Sequence, residues 1–158
     1  MSNIRTIREW ALARIIDLTP ELDNGYPFHA PDDTEPLTGM PKDDAFMRAV
    51  RVSNARTINA RSRYVGAVAG TTQEVDGGIV VEVGFLGHQN DVELQDWADD
   101  AEENISTDLM QYDASIKPAG GILIEITRTG DAPLQDVEFD GTGNASILTI
   151  PYRIIYNR

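Results

Sequence analysis

The side chains of this 158-residue chain with the range to carry acid–base or metal chemistry are two histidines, His29 and His88, and 26 acidic residues. Neither histidine has a second ligand at i+2 or i+4, the spacings by which a strand or a helix brings two donors onto one metal, so both read as loop or turn histidines. The chain has no cysteine, which removes disulfides, thiol nucleophiles and thiolate zinc sites. No serine sits in a GxSxG turn, and no glycine-rich loop follows a strand and opens a helix. Gly141-Thr142-Gly143 precedes a strand and reads as a β-turn. The segment 136–140 with Asn144 is rich in oxygen donors but lacks the spacing of a calcium loop. The many carboxylates between 91 and 108 share one helix rather than converging on a cleft, whereas an acid pair for hydrolysis needs two contrasting environments. The expectation is a protein without a catalytic site, metal or cofactor.

Charge is the more informative signal. Residues 1–75 hold 9 basic and 10 acidic side chains, a net of −1, and residues 76–158 hold 4 and 16, a net of −12. Between Phe46 and Val75 lie five arginines, Arg48, Arg51, Arg56, Arg61 and Arg63, against the single acid Glu74. Three uses of such a segment are open: the solvated face of a strand, pairing with acids of a neighbouring subunit, or contact with nucleic acid. Guanidinium suits interface carboxylates because it pairs bidentately and is weakly hydrated. Tyr64 is the one aromatic residue interleaved with Arg56, Arg61 and Arg63, which is thin for a single-strand stacking platform. A pI near 4.4 disfavours nonspecific binding of polyanions by the whole body.

The elements that must position these residues follow from periodicity. Residues 3–18 predict an amphipathic helix with Ile4, Ile7, Ala11, Leu12, Ile15 and Ile16 on one face, Ser2 or Asn3 as its cap, and Pro20 as its stop. Residues 19–44 hold five of the eight prolines and no periodicity, a long loop that Gly25, Tyr26, Phe28 and His29 are placed to pin to the body. Residues 45–53 alternate as a strand, and 54–76 predict an extended arm ending in a turn at Asp76-Gly77-Gly78. Residues 79–86 are the strongest strand, with Ile79, Val81, Val83 and Phe85 on one face, and Gly84 and Gly87 point to a bulge or a close backbone approach. Residues 91–112 form the strongest helix, with a stripe from Leu94 through Trp97, Ala98, Ala101, Ile105 and Leu109 to Tyr112. Asn90 and Glu93 supply a capping box, and Asp99, Asp100, Glu102, Glu103 and Asp108 make an outer face with no base on the helix. Strands follow at 122–128 and 145–156, with a brief pairing at 135–139. Pro151 predicts an edge position or a bulge for the last strand. The whole is one domain over 1–158, an α+β fold with a mostly antiparallel mixed sheet flanked by helices, in the order helix, strand, strand, helix, strand, strand.

The short helix ending at Asp17-Leu18-Thr19-Pro20, the strand IVVEVGFLG running almost at once into helix 91–112, and the closing ILTIPYRIIYNR resemble phage tail terminator proteins and their tail-completion relatives. That resemblance implies a ring, commonly a hexamer, that ends the tail tube and offers a surface to the head-side connector, with DNA passing through without specific binding, in the virion after assembly in host cytoplasm. It implies no catalysis and no cofactor. The implied contact sets Arg48, Arg51, Arg56, Arg61 and Arg63 against Asp99, Asp100, Glu102 and Glu103 of a neighbour, or leaves the acids lining the channel. Other neck or head-closure proteins share the same texture. A small cellular domain binding an anionic ligand or peptide through the arginine arm is the alternative. No apolar run reaches the roughly 20 residues a membrane-spanning helix needs, and MSNIRTIREW lacks the apolar core of a secretory signal.

Overall fold

The computed structural model describes residues 2–18, 28–29, 47–55, 62–64, 73–86, 91–111, 113–139 and 143–157. In chain order these form α1 (Asn3–Ile16), β1 (Phe28–His29), β2 (Met47–Asn54), β3 (Ser62–Tyr64), β4 (Gln73–Leu86), α2 (Asp91–Leu109), a 3-10 turn (Ala114–Ile116), β5 (Leu123–Arg128), β6 (Leu134–Phe139) and β7 (Gly143–Asn157). The fold is α+β; the brief pairing expected at 135–139 is β6, and the expected order of elements lacks two further short strands, β1 and β3.

The two longest strands, β4 and β7, are rich in Val and Ile, whose branched side chains fit a pleated surface. They pair antiparallel without a break from Glu74 opposite Asn157 to Leu86 opposite Ala145. Every other strand adds to this ribbon. β2 and β3 occupy successive stretches of the free edge of β4, and β1 adds in parallel to β2. β5 and β6 occupy successive stretches of the free edge of β7.

Period-two alternation sends one set of side chains to the core. Ile79, Val81, Val83 and Phe85 of β4 are buried as their spacing predicts, facing Leu148, Ile150, Tyr152 and Ile154 of β7 in the same cluster. Both helices join this cluster, α1 through Ile7, Ala11 and Ile15, and α2 through Trp97, Ala98, Ala101, Ile105 and Leu109. Phe28 of β1 is buried there too, so one residue of the proline-rich stretch is pinned to the body. Asn3 Nδ2 donates to the Asn157 carbonyl at 2.6 Å, tying the first turn of α1 to the end of β7. Ser2 is the cap of α1 by position, and its side chain makes no capping hydrogen bond.

Three local expectations are corrected. Asp76-Gly77-Gly78 is not a turn but the interior of β4, opposite Ile155, Ile154 and Arg153. The missing side chain at Gly77 makes room for an aromatic ring, since a Cβ there would lie 3.2 Å from Tyr156 Cε1. The bulge is in β5 rather than at Gly84, which stands in register between Ala49 and Ile147. The shift falls between Leu123 and Glu125, so Ile124 is the extra residue. Pro151 lies neither on an edge strand nor at a bulge, because β7 is flanked on both sides. Its carbonyl accepts from Thr129 N–H at 3.0 Å, in the gap between β5 and β6. In a strand the N and O of one residue point the same way, so the missing N–H also faces that gap, where no ladder needs it. The glycines at the expected turn 118–121 adopt positive φ, 83° at Gly120 and 65° at Gly121, the region in which an L side chain is strained. The expected loop 19–44 apart from Phe28 and His29, most of the arm 54–76, the Asn90 cap, His88, Gly87, Tyr112 and the turn at 140–142 lie outside the described residues.

The assignment of faces has a direct check. Ile79→Ala, at a fully buried position, is expected to cost about 2–5 kcal/mol. Val80→Ala, on the opposite face and half-buried, is expected to cost less than half as much, measured by urea denaturation. Equal losses would mean that the two faces of β4 are reversed or equivalent.

Candidate functional site

The acidic face of α2 is the charged feature that the fold organises most fully, and it does not remain the uniform solvated surface its sequence suggests. Turning about the helix axis, its carboxylates meet different surroundings. Asp108 is buried at 7% exposure and receives a two-point hydrogen bond from Arg14 of α1, with Nε to Oδ2 at 3.0 Å and Nη2 to Oδ1 at 2.5 Å. The hydrogen bond to Asp108 is the main cause holding the Arg14 guanidinium above its ordinary pKa. Asp100 is buried as well; its Oδ1 accepts from Asn104 at 3.3 Å, and its Oδ2 has no partner among the described residues. Glu102 is paired with Arg128 of β5 at 2.5 Å. Asp99 and Glu103 are exposed.

The flank of α2 toward β5 forms a shallow cleft of about 380 Å³ lined by Asp99, Glu102, Glu103, Ser106, Met110 and Arg128, among others. Of these, Ser106 shares a buried hydrogen bond of 2.7 Å, Oγ to Oη, with Tyr152 of β7. Burial pushes the Tyr152 hydroxyl up to about 12, with the Ser106 hydrogen bond acting in the opposite direction. A phenol held neutral at any physiological pH is a structural hydrogen-bonding group rather than an acid–base group.

The other end of α2 is fixed by a clasp. Lys117 Nζ donates to the Leu109 carbonyl at 2.7 Å and sits 5.2 Å from the centre of the Trp10 ring. A cation at the last carbonyls of a helix is favoured by the dipole, and one over an indole by the ring quadrupole. Burial lowers the Lys117 pKa. Trp10 Nε1 in turn donates to the Ile116 carbonyl at 2.5 Å. Asp113 opens the 3-10 turn, its carboxylate accepting from Ser115 N–H at 2.9 Å, which holds its pKa down.

The arginines stand at the other side of the sheet. Arg48 and Arg51 are in β2, with Arg51 opposite Glu82 in the ladder, and Arg63 is in β3 opposite Glu74. Arg56 and Arg61 lie outside the described residues. The three described arginines therefore stand on strands at the β2–β3 side of the sheet, with β4 and β7 between them and β5. Among the described residues the bases that meet α2 are Arg14 and Arg128, at its carboxylates, and Lys117, at its last carbonyls, none of which the sequence singles out. A helix with eight acids and no base of its own requires cations from elsewhere, but which arginine answers depends on strand and helix neighbours distant in sequence. Among the described residues, no group of three or more His, Asp or Glu side chains has the arrangement of a metal site, and no helix is long and apolar enough to cross a membrane. No protein-family model matches the chain, and no curated protein matches it.

Two measurements test this site. Arg14→Met leaves Asp108 buried without its cation and is expected to lower stability by about 3 kcal/mol. Most of that loss should disappear when Asp108→Leu is combined with it, in a double-mutant cycle followed by urea unfolding. For Tyr152 the folded hydroxyl holds its proton to about 12 against about 10 in the unfolded chain. Its stabilising contribution is thus complete below pH 10 and is lost as pH rises toward 12. Tyr152→Phe should flatten the decline in melting temperature across that window, and an unchanged slope would remove Tyr152 as its source.

Proposed function

We propose that this chain is a structural subunit of a phage virion, a tail-terminator-type protein. In this reading copies join side by side into a ring, six being the expected number, at the end of the tail tube. The ring stops tube growth and meets the head-side connector, and DNA passes through it without specific binding. The chain acts in the virion after assembly in host cytoplasm and has no catalytic or cofactor-dependent role.

One observation carries the reading: charge is polarised across the sheet, not merely along the chain. β2 and β3 carry Arg48, Arg51 and Arg63 and no acid. The order β2-β4-β7-β5 separates β2 from β5 by three strand spacings, about 14 Å. At the β5 side α2 presents Asp99 and Glu103 to solvent. Strands of unlike residue charge on opposite sides of one subunit favour a heterologous contact, which closes into a ring when the rotation between copies allows. Within this reading Asp99 and Glu103 are the acids offered to a neighbour. Glu102 is shared with Arg128 of its own chain and Asp100 is buried, so both contribute less than their positions in the sequence imply.

The test is reconstitution with tail tubes. The purified chain should localise to one end of the tubes by electron microscopy and halt their elongation; binding along tube walls, or none, would defeat the proposal. The double reversal Asp99→Lys with Glu103→Lys is expected to weaken ring formation about tenfold at low salt. Adding Arg61→Glu and Arg63→Glu should recover part of it. Assembly indifferent to all four changes would discard charge pairing as the contact.

A further inference from the structure

β5 pairs with β7 along one edge, and among the described residues no strand lies along the other. The outward groups are identified by alternation. Thr129 N–H donates to the Pro151 carbonyl and so points toward β7, whereas the preceding residue, Arg128, donates its N–H to the Met110 sulfur at 3.3 Å. Ile126, two residues earlier, faces the same way as Arg128. A thioether is a weak acceptor, so this edge holds a placeholder where a sheet interior would supply a carbonyl. Alongside runs a groove of about 760 Å³ lined by Met110, Lys117, Pro118, Leu123, Ile124 and Glu125, among others. Ile124, the bulged residue, is 52% exposed beside it while Leu123 and Ile126 are buried. An apolar side chain at a groove beside an open strand edge is the arrangement that accepts an added strand: backbone groups supply the bonds and the pocket supplies the register.

The opposite margin of the same sheet has the complementary character. Beyond Arg48 and Ala49, which pair with β1, no strand among the described residues follows the outer edge of β2. The strands at that margin, β1, β2 and β3, carry three arginines and no acid. The strands at the β5 margin, β5 and β6, carry Glu125, Asp136 and Glu138 against the single base Arg128.

We propose that the β5 edge and its groove receive the outer edge of β2 from a second copy of this chain, continuing the sheet from subunit to subunit. The inference rests on the ring reading for its partner and adds the surface through which copies join. The joint is heterologous, since a β5 margin meets a β2 margin. Each copy keeps one of each free until the ring closes. Opposite net charges across the joint select this pairing over β5 with β5 or β2 with β2.

The experiment follows the full-length chain across a concentration series by light scattering and by amide hydrogen exchange. The wild type should gain mass in multiples of 17.4 kDa, with protection at the Ile126 and Arg128 amides rising in step. Ile124→Lys, a change at an exposed position, should raise the apparent dissociation constant about tenfold or more. It should also abolish the concentration-dependent protection and keep the melting temperature within about 3 °C. Oligomers in which those amides stay unprotected, or that Ile124→Lys leaves intact, would overturn the groove as the joint while leaving the ring proposal standing. The Arg128 amide, bonded to Met110 of its own chain, is read by its further gain in protection; an Ile126 amide already protected in the most dilute monomer would place this chain's own residues, not a second copy's, in the groove and would overturn the inference. A chain that stays monomeric with open amides would overturn it too. The ring proposal would then be judged separately, by tube-end binding.

Discussion

The β4–β7 ladder is the constraint from which the rest of the molecule follows. Strands of 14 and 15 residues paired without interruption make a ribbon whose two free edges are longer than any remaining strand can cover. Each edge is therefore tiled by two short strands in succession, β2 then β3 on one side, β6 then β5 on the other. The gap between β5 and β6 accommodates Pro151. One face of the ribbon supplies the apolar surface that α1 and α2 cover, and that burial is the dominant favourable term in the fold. The same tiling determines where the sheet stops, and hence which strand edges remain for another chain.

Electrostatics is arranged on top of that frame rather than driving it. The acids of α2 sort into three environments by their angle about one helix. Asp108 faces α1 and is neutralised by Arg14. Glu102 faces β5 and is neutralised by Arg128. Asp99 and Glu103 face water. An exposed carboxylate is weakly coupled to its own chain and screened by salt, which leaves it available to a partner, whereas a buried one would leave an uncompensated charge if its cation departed. Asp100, buried with one oxygen unpartnered among the described residues, is the costliest of the group. Which residues are offered for recognition is therefore decided by the packing of the helix and not by the number of acids on it.

Much of the fold was legible in the chain, and the errors share a cause. The apolar periods of 3–18, 79–86 and 91–112 located both helices and the strongest strand because periodicity is a local property. Gly77-Gly78 reads as a turn because glycine favours turns in isolation; its place inside β4 is set by pairing with Ile154 and Arg153, and the diagonal Tyr156 ring, 79 positions from Gly77, occupies the space that a side chain there would need. Pro151 was read as an edge because a missing donor is intolerable in a ladder, yet the gap that tolerates it is created by where β5 ends and β6 begins. Arg14 and Arg128 carried no signal of their own, since their partners Asp108 and Glu102 come within reach only after the layers pack.

By itself the sequence determined the class of fold, the one-sided burial of its helices and central strand, the absence of cysteine chemistry and the uneven distribution of charge along the chain. These are properties of composition and of short-range spacing, which the backbone's two periods convert directly into faces. The tertiary structure alone decided the order of strands, the splitting of each ribbon edge between two short partners, and the sorting of five acids of α2, Asp99, Asp100, Glu102, Glu103 and Asp108, into two paired with arginines, one buried without a cation and two exposed. Those outcomes depend on contacts between residues tens of positions apart, and such contacts exist only once the chain has closed on itself.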